Sequence, residues 1–170
     1  MSDVIRYAFG KTSLGDVLVA ASDKGVVALE FDDRDVAEEL FQSRFPDADV
    51  VSDQEGLSLL LSRIRRIVDQ PHSGSDVDLD LRGTPYEIRV WNLLCKIAVG
   101  ETTSYDALAA KLGTRDARDV TKAISTNPIA ILVPCHRILK KDGSISGYRW
   151  GVRRKRALLE REQLGLRSRK

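Results

Sequence analysis

The organisation of this chain changes at Gly83, from mixed strand and helix patterns to helix alone, and the charge changes sign at the same place. Residues 1–82 carry 9 basic and 17 acidic side chains, a net of −8, whereas residues 83–170 carry 18 and 8, a net of +10. A chain that breaks in both respects at one point has two differently built parts. In the first part, VLVAAS (Val17 to Ser22) and GVVALEF (Gly25 to Phe31) flank Asp23-Lys24-Gly25, the pattern of strand, turn and strand. Helical spacing follows, with Val36, Leu40 and Phe41 on one face up to Phe45-Pro46, and again over Leu57 to Val68, where Leu60, Ile64 and Ile67 recur. Pro71 to Ser75 is a loop, and DVDLDL (Asp76 to Leu81) alternates as a strand does. No residue of this part suggests catalysis.

From Gly83 the chain turns helical. Thr84 caps a helix, Pro85 suits its first turn, and Glu87 completes a Thr-x-x-Glu capping box. Val90, Trp91, Leu94 and Ile97 form its apolar stripe, and Cys95, beside Leu94, reads as a small buried hydrophobe. A second helix runs from Ser104-Tyr105 to Gly113, and a third spans about Asp116 to Thr126. This pair is a helix-turn-helix candidate: Arg118 and Lys122 share one face, while Val120, Ala123 and Ile124 point inward. The predicted fold is therefore α+β, a small N-terminal mixed α/β lobe (1–82) followed by a mostly helical C-terminal domain (83–170) with a helix-turn-helix.

Composition narrows the function classes. With 170 residues, 42% of them hydrophobic, the chain can bury a real core. Its longest apolar runs are about five residues, as in Ile129 to Val133, against the ~20 of a membrane-spanning helix. The start, MSDVIRYAFG, lacks the pattern of a signal peptide, so a soluble, intracellular, cytoplasmic protein is expected. Two cysteines and two histidines do not readily assemble a structural zinc site, and no metal is expected. The basic second half suits a polyanion such as nucleic acid, with a merely solvated basic tail as the alternative.

The sequence Asn127-Pro128-Ile129-Ala130-Ile131-Leu132-Val133-Pro134-Cys135-His136-Arg137 delivers a cysteine between a proline and a histidine. A thiolate attacks where a thiol hardly does, so a reactive Cys135 needs help in losing its proton. His136 is a candidate base, directly or through one water, and Arg137 adds positive potential. A buried cysteine beside a structural histidine is the alternative.

Val-Pro-Cys-His-Arg-Ile resembles the active-site signature of the O6-alkylguanine-DNA alkyltransferases. Gly83-Thr84-Pro85-Tyr86 with Val90-Trp91, Gly100 to Tyr105, Asn127-Pro128, Ser146-Gly147-Tyr148-Arg149-Trp150-Gly151, and Leu158-Leu159 with Glu162 resemble further blocks of the family, in order, over residues 83–163. The resemblance implies direct-reversal DNA repair: an irreversible, single-turnover transfer of an alkyl group, such as methyl, from O6 of guanine, or O4 of thymine, to Cys135. It implies no cofactor and no metal. His136, through a water, would deprotonate Cys135, and Glu162 would hold the far side of the imidazole. Tyr105 would donate to the departing guanine, assisted by Lys155.

The implied partner is double-stranded DNA, entered through the minor groove by the helix-turn-helix of a monomer, with no membrane involved. Arg118 matches the arginine that fills the space left by the flipped nucleotide. Asn127, Pro134, Ile138, Tyr148 and Arg149 match residues that build or line the base pocket. The turn before Arg118 is one residue shorter than the usual family form, which makes Arg115 a rival for that role. Asp119 is expected to point sideways, toward Arg115 or Lys122. Three other readings compete. A lesion-binding module without chemistry has no use for Cys135. A damage-sensing regulator adds a cysteine-rich metal domain, yet no cysteine precedes Cys95. A cysteine hydrolase needs an oxyanion turn that does not accompany Cys135.

Overall fold

The computed structural model describes residues 3–31, 42–73, 77–113 and 116–168. Four strands, β1 (Asp3–Thr12), β2 (Gly15–Ala21), β3 (Val26–Phe31) and β4 (Ala48–Ser52), form one sheet in the order β3-β2-β1-β4. The two hairpin pairings are antiparallel, and β4 joins β1 in parallel. The strands β1 and β4, which carry no strong alternation, were not legible in the sequence. The helix expected around Val36 to Phe41 lies outside the described residues.

Both faces of the sheet are covered. Val17 and Val19 face one apolar cluster, Leu18 and Ala20 the other, as the two-residue period of a strand demands. The first cluster continues without interruption into Val90, Trp91, Leu108, Val120 and Ile129 beyond Gly83. The parts of opposite charge thus share one core. Helix α1 (Ser58–Asp69) buries Leu61, Ile64, Ile67 and Val68 in it.

Of the strand expected over Asp76 to Leu81, Asp76 lies outside the described residues and 77–81 make one bridge, between Val26 and Leu79. Gly25 explains how close the chains come there: at φ 153°, a Cβ on it would lie 2.5 Å from the Asp78 carbonyl. The outer edge of β3 is then taken over by a second segment. Leu29 N donates to Pro128 O at 3.0 Å, and Ala130 N to Leu29 O at 2.7 Å. Because this edge is shared, 77–81 do not extend into a strand.

Past Gly83 the capping box closes as expected, with Glu87 N on Thr84 Oγ1 at 3.1 Å and Thr84 N on Glu87 Oε1 at 2.9 Å. Helix α2 spans Pro85–Cys95, α3 Tyr105–Leu112, α4 Ala117–Ser125 and α5 Val152–Ser168. Gly113 ends α3 at φ 74°, the left-handed turn that favours glycine. Trp91 fixes α2 to α4 by donating Nε1–H to Ala123 O at 2.9 Å. Cys95 corrects one expectation: it is exposed, not buried. Val90, Trp91 and Leu94 turn inward, and Cys95, the last residue of the helix, lies beside that stripe. No helix among the described residues is long and apolar enough to cross a membrane.

Candidate active site

Cys135 reaches its position through consecutive tight turns. Leu132 N donates to Ala130 O at 2.7 Å around Ile131, whose φ is 71°. A β-branched residue in that region costs about 1–3 kcal/mol and persists only where its surroundings dictate it. Pro134 follows at φ −81° and ψ 62°, an inverse γ-turn closed by Cys135 N on Val133 O at 2.8 Å. Cys135–Arg137 then form one turn of 3-10 helix.

Asn127 holds this path together from within. Its Oδ1 accepts Ile129 N at 2.9 Å, and its Nδ2 donates to Ile129 O and Val133 O, each at 3.1 Å. The same Nδ2 stands 3.4 Å from Cys135 Sγ. Immediately beyond, β6 (Ile138–Leu139) pairs in parallel with β5 (Thr103–Ser104), which brings Tyr105, the next residue, to the cysteine.

Cys135 lines a cleft of about 500 Å³. Tyr105 and the α4 residues Thr121, Ile124 and Ser125 contribute to its lining, as does the loop Ser146 to Arg149. The cysteine itself is only 4% exposed. Burial pushes its thiol up to about 11, against the pull of the Asn127 amide and the Lys155 and Arg149 charges. At rest the sulfur is a neutral thiol, so its proton must leave before it attacks.

Behind it, His136 and Glu162 are both buried, with Nε2 2.8 Å from Glu162 Oε1. Burial raises the carboxyl, but hydrogen bonds and charge from His136 and Arg137 outweigh it and hold the group below its usual range. An ionised carboxylate only accepts, so Nε2 carries the proton and Nδ1 keeps its lone pair. Nδ1 has no hydrogen-bond partner among the described residues. Burial also holds the imidazole below its usual pKa, against the pull of Glu162, so it is neutral and ready to accept a proton.

The positive charge of Arg137, expected to act on Cys135, is directed at Glu162 instead. Arg137 donates Nε and Nη2 to Glu162 Oε1 at 3.0 and 2.8 Å, and Nη1 to Ile97 O at 2.6 Å. It fixes the carboxylate that orients the histidine, a role that the sequence motif concealed.

On the other side of the cleft, Lys155 is wholly buried and its Nζ donates to Ser146 Oγ at 2.8 Å. Burial lowers its ammonium to about 8, against the opposing pull of Cys135. Tyr105 Oη lies 2.7 Å from the same Oγ. Tyr148 stacks edge-on against Trp150, with centroids 5.4 Å apart. Arg149 donates Nη1 to Asn127 O at 2.7 Å.

The structure thus gathers Cys135, Tyr105, Tyr148 and Arg149 around one cleft, with Asn127 on the sulfur, His136 and Glu162 behind it, and Lys155 behind Ser146. Pro134 and Ile138 are buried and shape the turn and β6 rather than lining the cleft. Arg118 stands apart at the start of α4, its side chain 92% exposed and its guanidinium on Asp116 at 3.0 Å. Arg115 lies outside the described residues. Lys122 and Asp119 turn away into a second cleft with Thr84, Tyr86 and Glu87. The α4 stripe continuing from Arg118 toward the cysteine is instead Thr121 and Ser125, at the helical spacing of i, i+3 and i+7. That spacing was readable, but the polar residues gave no sign of which side faced the cleft. Among the described residues, no group of three or more His, Cys, Asp or Glu is placed to hold a metal ion.

Residues 85–164 match the model of the 6-O-methylguanine DNA methyltransferase DNA binding domain. The chain is 39% identical to the regulatory protein Ada of Salmonella typhimurium over 165 residues, 93% of this chain but 45% of that protein. It therefore spans under half the length of this relative. It is 36% identical to the inducible methylated-DNA–protein-cysteine methyltransferase of Bacillus subtilis, covering 85% of this chain and 83% of that one. The solved structure of Mycobacterium tuberculosis OGT in complex with DNA superposes with a TM-score of 0.78 at 32% identity, covering 95% and 94% of the two chains. The chain belongs to the methylated-DNA–protein-cysteine methyltransferase family.

Proposed function

We propose that this protein repairs DNA by moving an alkyl group from O6 of guanine, or O4 of thymine, onto Cys135, once per molecule. The observation that carries the reading is a thiol facing an open cleft, backed by a neutral imidazole whose outer nitrogen is bound to an ionised carboxylate. The sulfur attacks a saturated carbon, so the S–C bond forms as C–O6 breaks, and no oxyanion hole is needed. His136 Nδ1 takes the thiol proton through a water, and Glu162 stabilises the resulting imidazolium. The departing base leaves as an anion and accepts a hydrogen bond or proton from Tyr105, assisted by Lys155. A thioether is not hydrolysed under these conditions, so the protein is consumed. Neither metal nor cofactor is required.

The reacting carbon lies inside the stacked duplex, so its nucleotide must be rotated out at a cost of a few kcal/mol. Helix α4 enters the minor groove as part of a monomer, and Arg118 fills the vacated space. Asn127, Tyr148 and Arg149 shape the base pocket, while Pro134 and Ile138 support it. The part from residue 83 onward binds DNA and accepts the alkyl group; the part before it supports the fold. The protein works inside the cell, in the cytoplasm, where it has access to DNA.

Incubation with a duplex carrying O6-methylguanine tests this. One methyl group per protein, located on Cys135 by peptide mass spectrometry, is the expected result. Tight lesion binding with an unmodified Cys135 would make the protein a sensor, and repeated turnover would contradict the self-consuming reaction.

A further inference from the structure

Lys155 and Tyr105 are not joined directly by a hydrogen bond among the described residues; the Ser146 hydroxyl stands between them. Its Oγ lies 2.8 Å from Lys155 Nζ and 2.7 Å from Tyr105 Oη, and both Ser146 and Lys155 are buried. An ammonium only donates, so Oγ accepts from Lys155. The one hydrogen of Ser146 is then directed by the charge behind it. Donated to Tyr105 Oη, it leaves the phenol's own hydrogen free for the cleft that Cys135 lines. A donor whose oxygen already accepts from a cation is strengthened, so the chain has a built-in polarity from Lys155 to the cleft.

The geometry points to Ser146 as a positioning residue and proton relay, through which Lys155 makes Tyr105 the acid for the departing base. This inference rests on the repair reading above. As the sulfur lone pair forms the S–C bond, the C–O6 pair stays on guanine. Tyr105 then gives its proton to the guanine ring, Ser146 replaces it, and Lys155 replaces the proton of Ser146. The thiol proton resides on His136. One group in the site gains a positive charge as another loses one, so the total charge is unchanged.

The test measures single-turnover methyl transfer from an O6-methylguanine duplex, together with lesion affinity. Ser146→Ala is expected to slow transfer about tenfold with affinity within twofold of wild type, and Ser146→Thr, which keeps the hydroxyl, to restore the rate. In a Tyr105→Phe background, Ser146→Ala is expected to add less than twofold, because the relay has lost its outlet. A full tenfold loss persisting in that background, or no loss in Ser146→Ala alone, would overturn the relay. A resting-state measurement separates this inference from the repair reading. The 15N signal of the Lys155 ammonium is expected to respond to Tyr105→Phe when Ser146 is present and not in Ser146→Ala. An ammonium indifferent to Tyr105 in both would refute the relay even if repair is confirmed. A wild-type protein that leaves Cys135 unmethylated while showing this coupling would refute repair alone.

Discussion

Glu162 carries two burdens, and Glu162→Gln separates them from ordinary packing. The carboxylate is buried and receives His136 Nε2 at 2.8 Å and three contacts from Arg137 between 2.8 and 3.2 Å. The substitution keeps the shape but leaves the Arg137 guanidinium buried without a counter-charge. Breaking a buried pair in this way costs about 3–5 kcal/mol. For a chain of this length each kcal/mol moves the midpoint by about 2–4 °C, so melting should fall by roughly 6–20 °C. The loss has a pH signature. Because the folded carboxyl titrates below its usual 4.5, its stabilisation is fully present above that pH and disappears as pH falls through the folded value. The melting gap between wild type and variant should therefore narrow in acid. Methyl transfer at neutral pH should slow by two to four orders of magnitude (~10²–10⁴-fold), as when the orienting carboxylate of a triad is made an amide. Calorimetry at pH 7 and pH 3.5, with quench-flow transfer below the variant's midpoint, measures both. A midpoint within 2 °C of wild type at pH 7, or a rate within threefold, would refute the assignment.

Three further outcomes are expected. Transfer should decline as pH rises past about 8, where Lys155 loses its proton, well before Cys135 begins to ionise near 11; Lys155→Met should be slow throughout and show no such decline in a pH–rate series. Arg118→Ala should weaken repair of duplex lesions at least about tenfold and reaction with free O6-benzylguanine less than twofold, because the exposed guanidinium does not line the cleft of Cys135; equal losses would move the intercalating role elsewhere. Asn127→Ala should lower the melting point and slow transfer together, since one amide satisfies the turn and contacts Sγ; an unchanged rate in the folded variant would limit Asn127 to the turn.

What the sequence made legible follows from how local each signal is. The capping box at Thr84, the stop at Gly113 and the inward stripe Val120, Ala123 and Ile124 depend on neighbours within one or two turns, and all appear as read. The histidine–carboxylate pair, 26 residues apart, came from family resemblance rather than from spacing. Contacts set by long-range register escaped. The edge of β3 is divided between residues 78–80 and 128–130, a competition that no periodicity reports, so alternation at 76–81 overstated a strand. Cys95 was misjudged because an apolar neighbour at i−1 says little about a helix face, where neighbours are about 100° apart. Arg137 was misplaced for a related reason. In the 3-10 turn His136 and Arg137 both reach Glu162, so the charge two positions after the cysteine is taken up by the carboxylate.

The neutral thiol follows from the same geometry. A cysteine kept permanently as an anion would need positive groups close enough to overcome burial, and here Lys155 and Arg149 do not suffice. Lys155 instead points its hydrogens at Ser146 and Gly147, away toward the tyrosine side of the cleft. The site therefore separates two tasks in space: a base behind the sulfur and an acid beyond the base pocket. For a protein that can react only once, this arrangement has a direct consequence. A standing thiolate would be spent on any small electrophile, whereas a buried thiol ionises only as the proton passes to His136 and the leaving group is met by Tyr105. Iodoacetamide should therefore label Cys135 slowly at pH 7, slower than the exposed Cys95, even though Cys135 is the residue that accepts the alkyl group from DNA. Faster labelling of Cys135 would show a thiolate already formed at rest and would refute the neutral thiol.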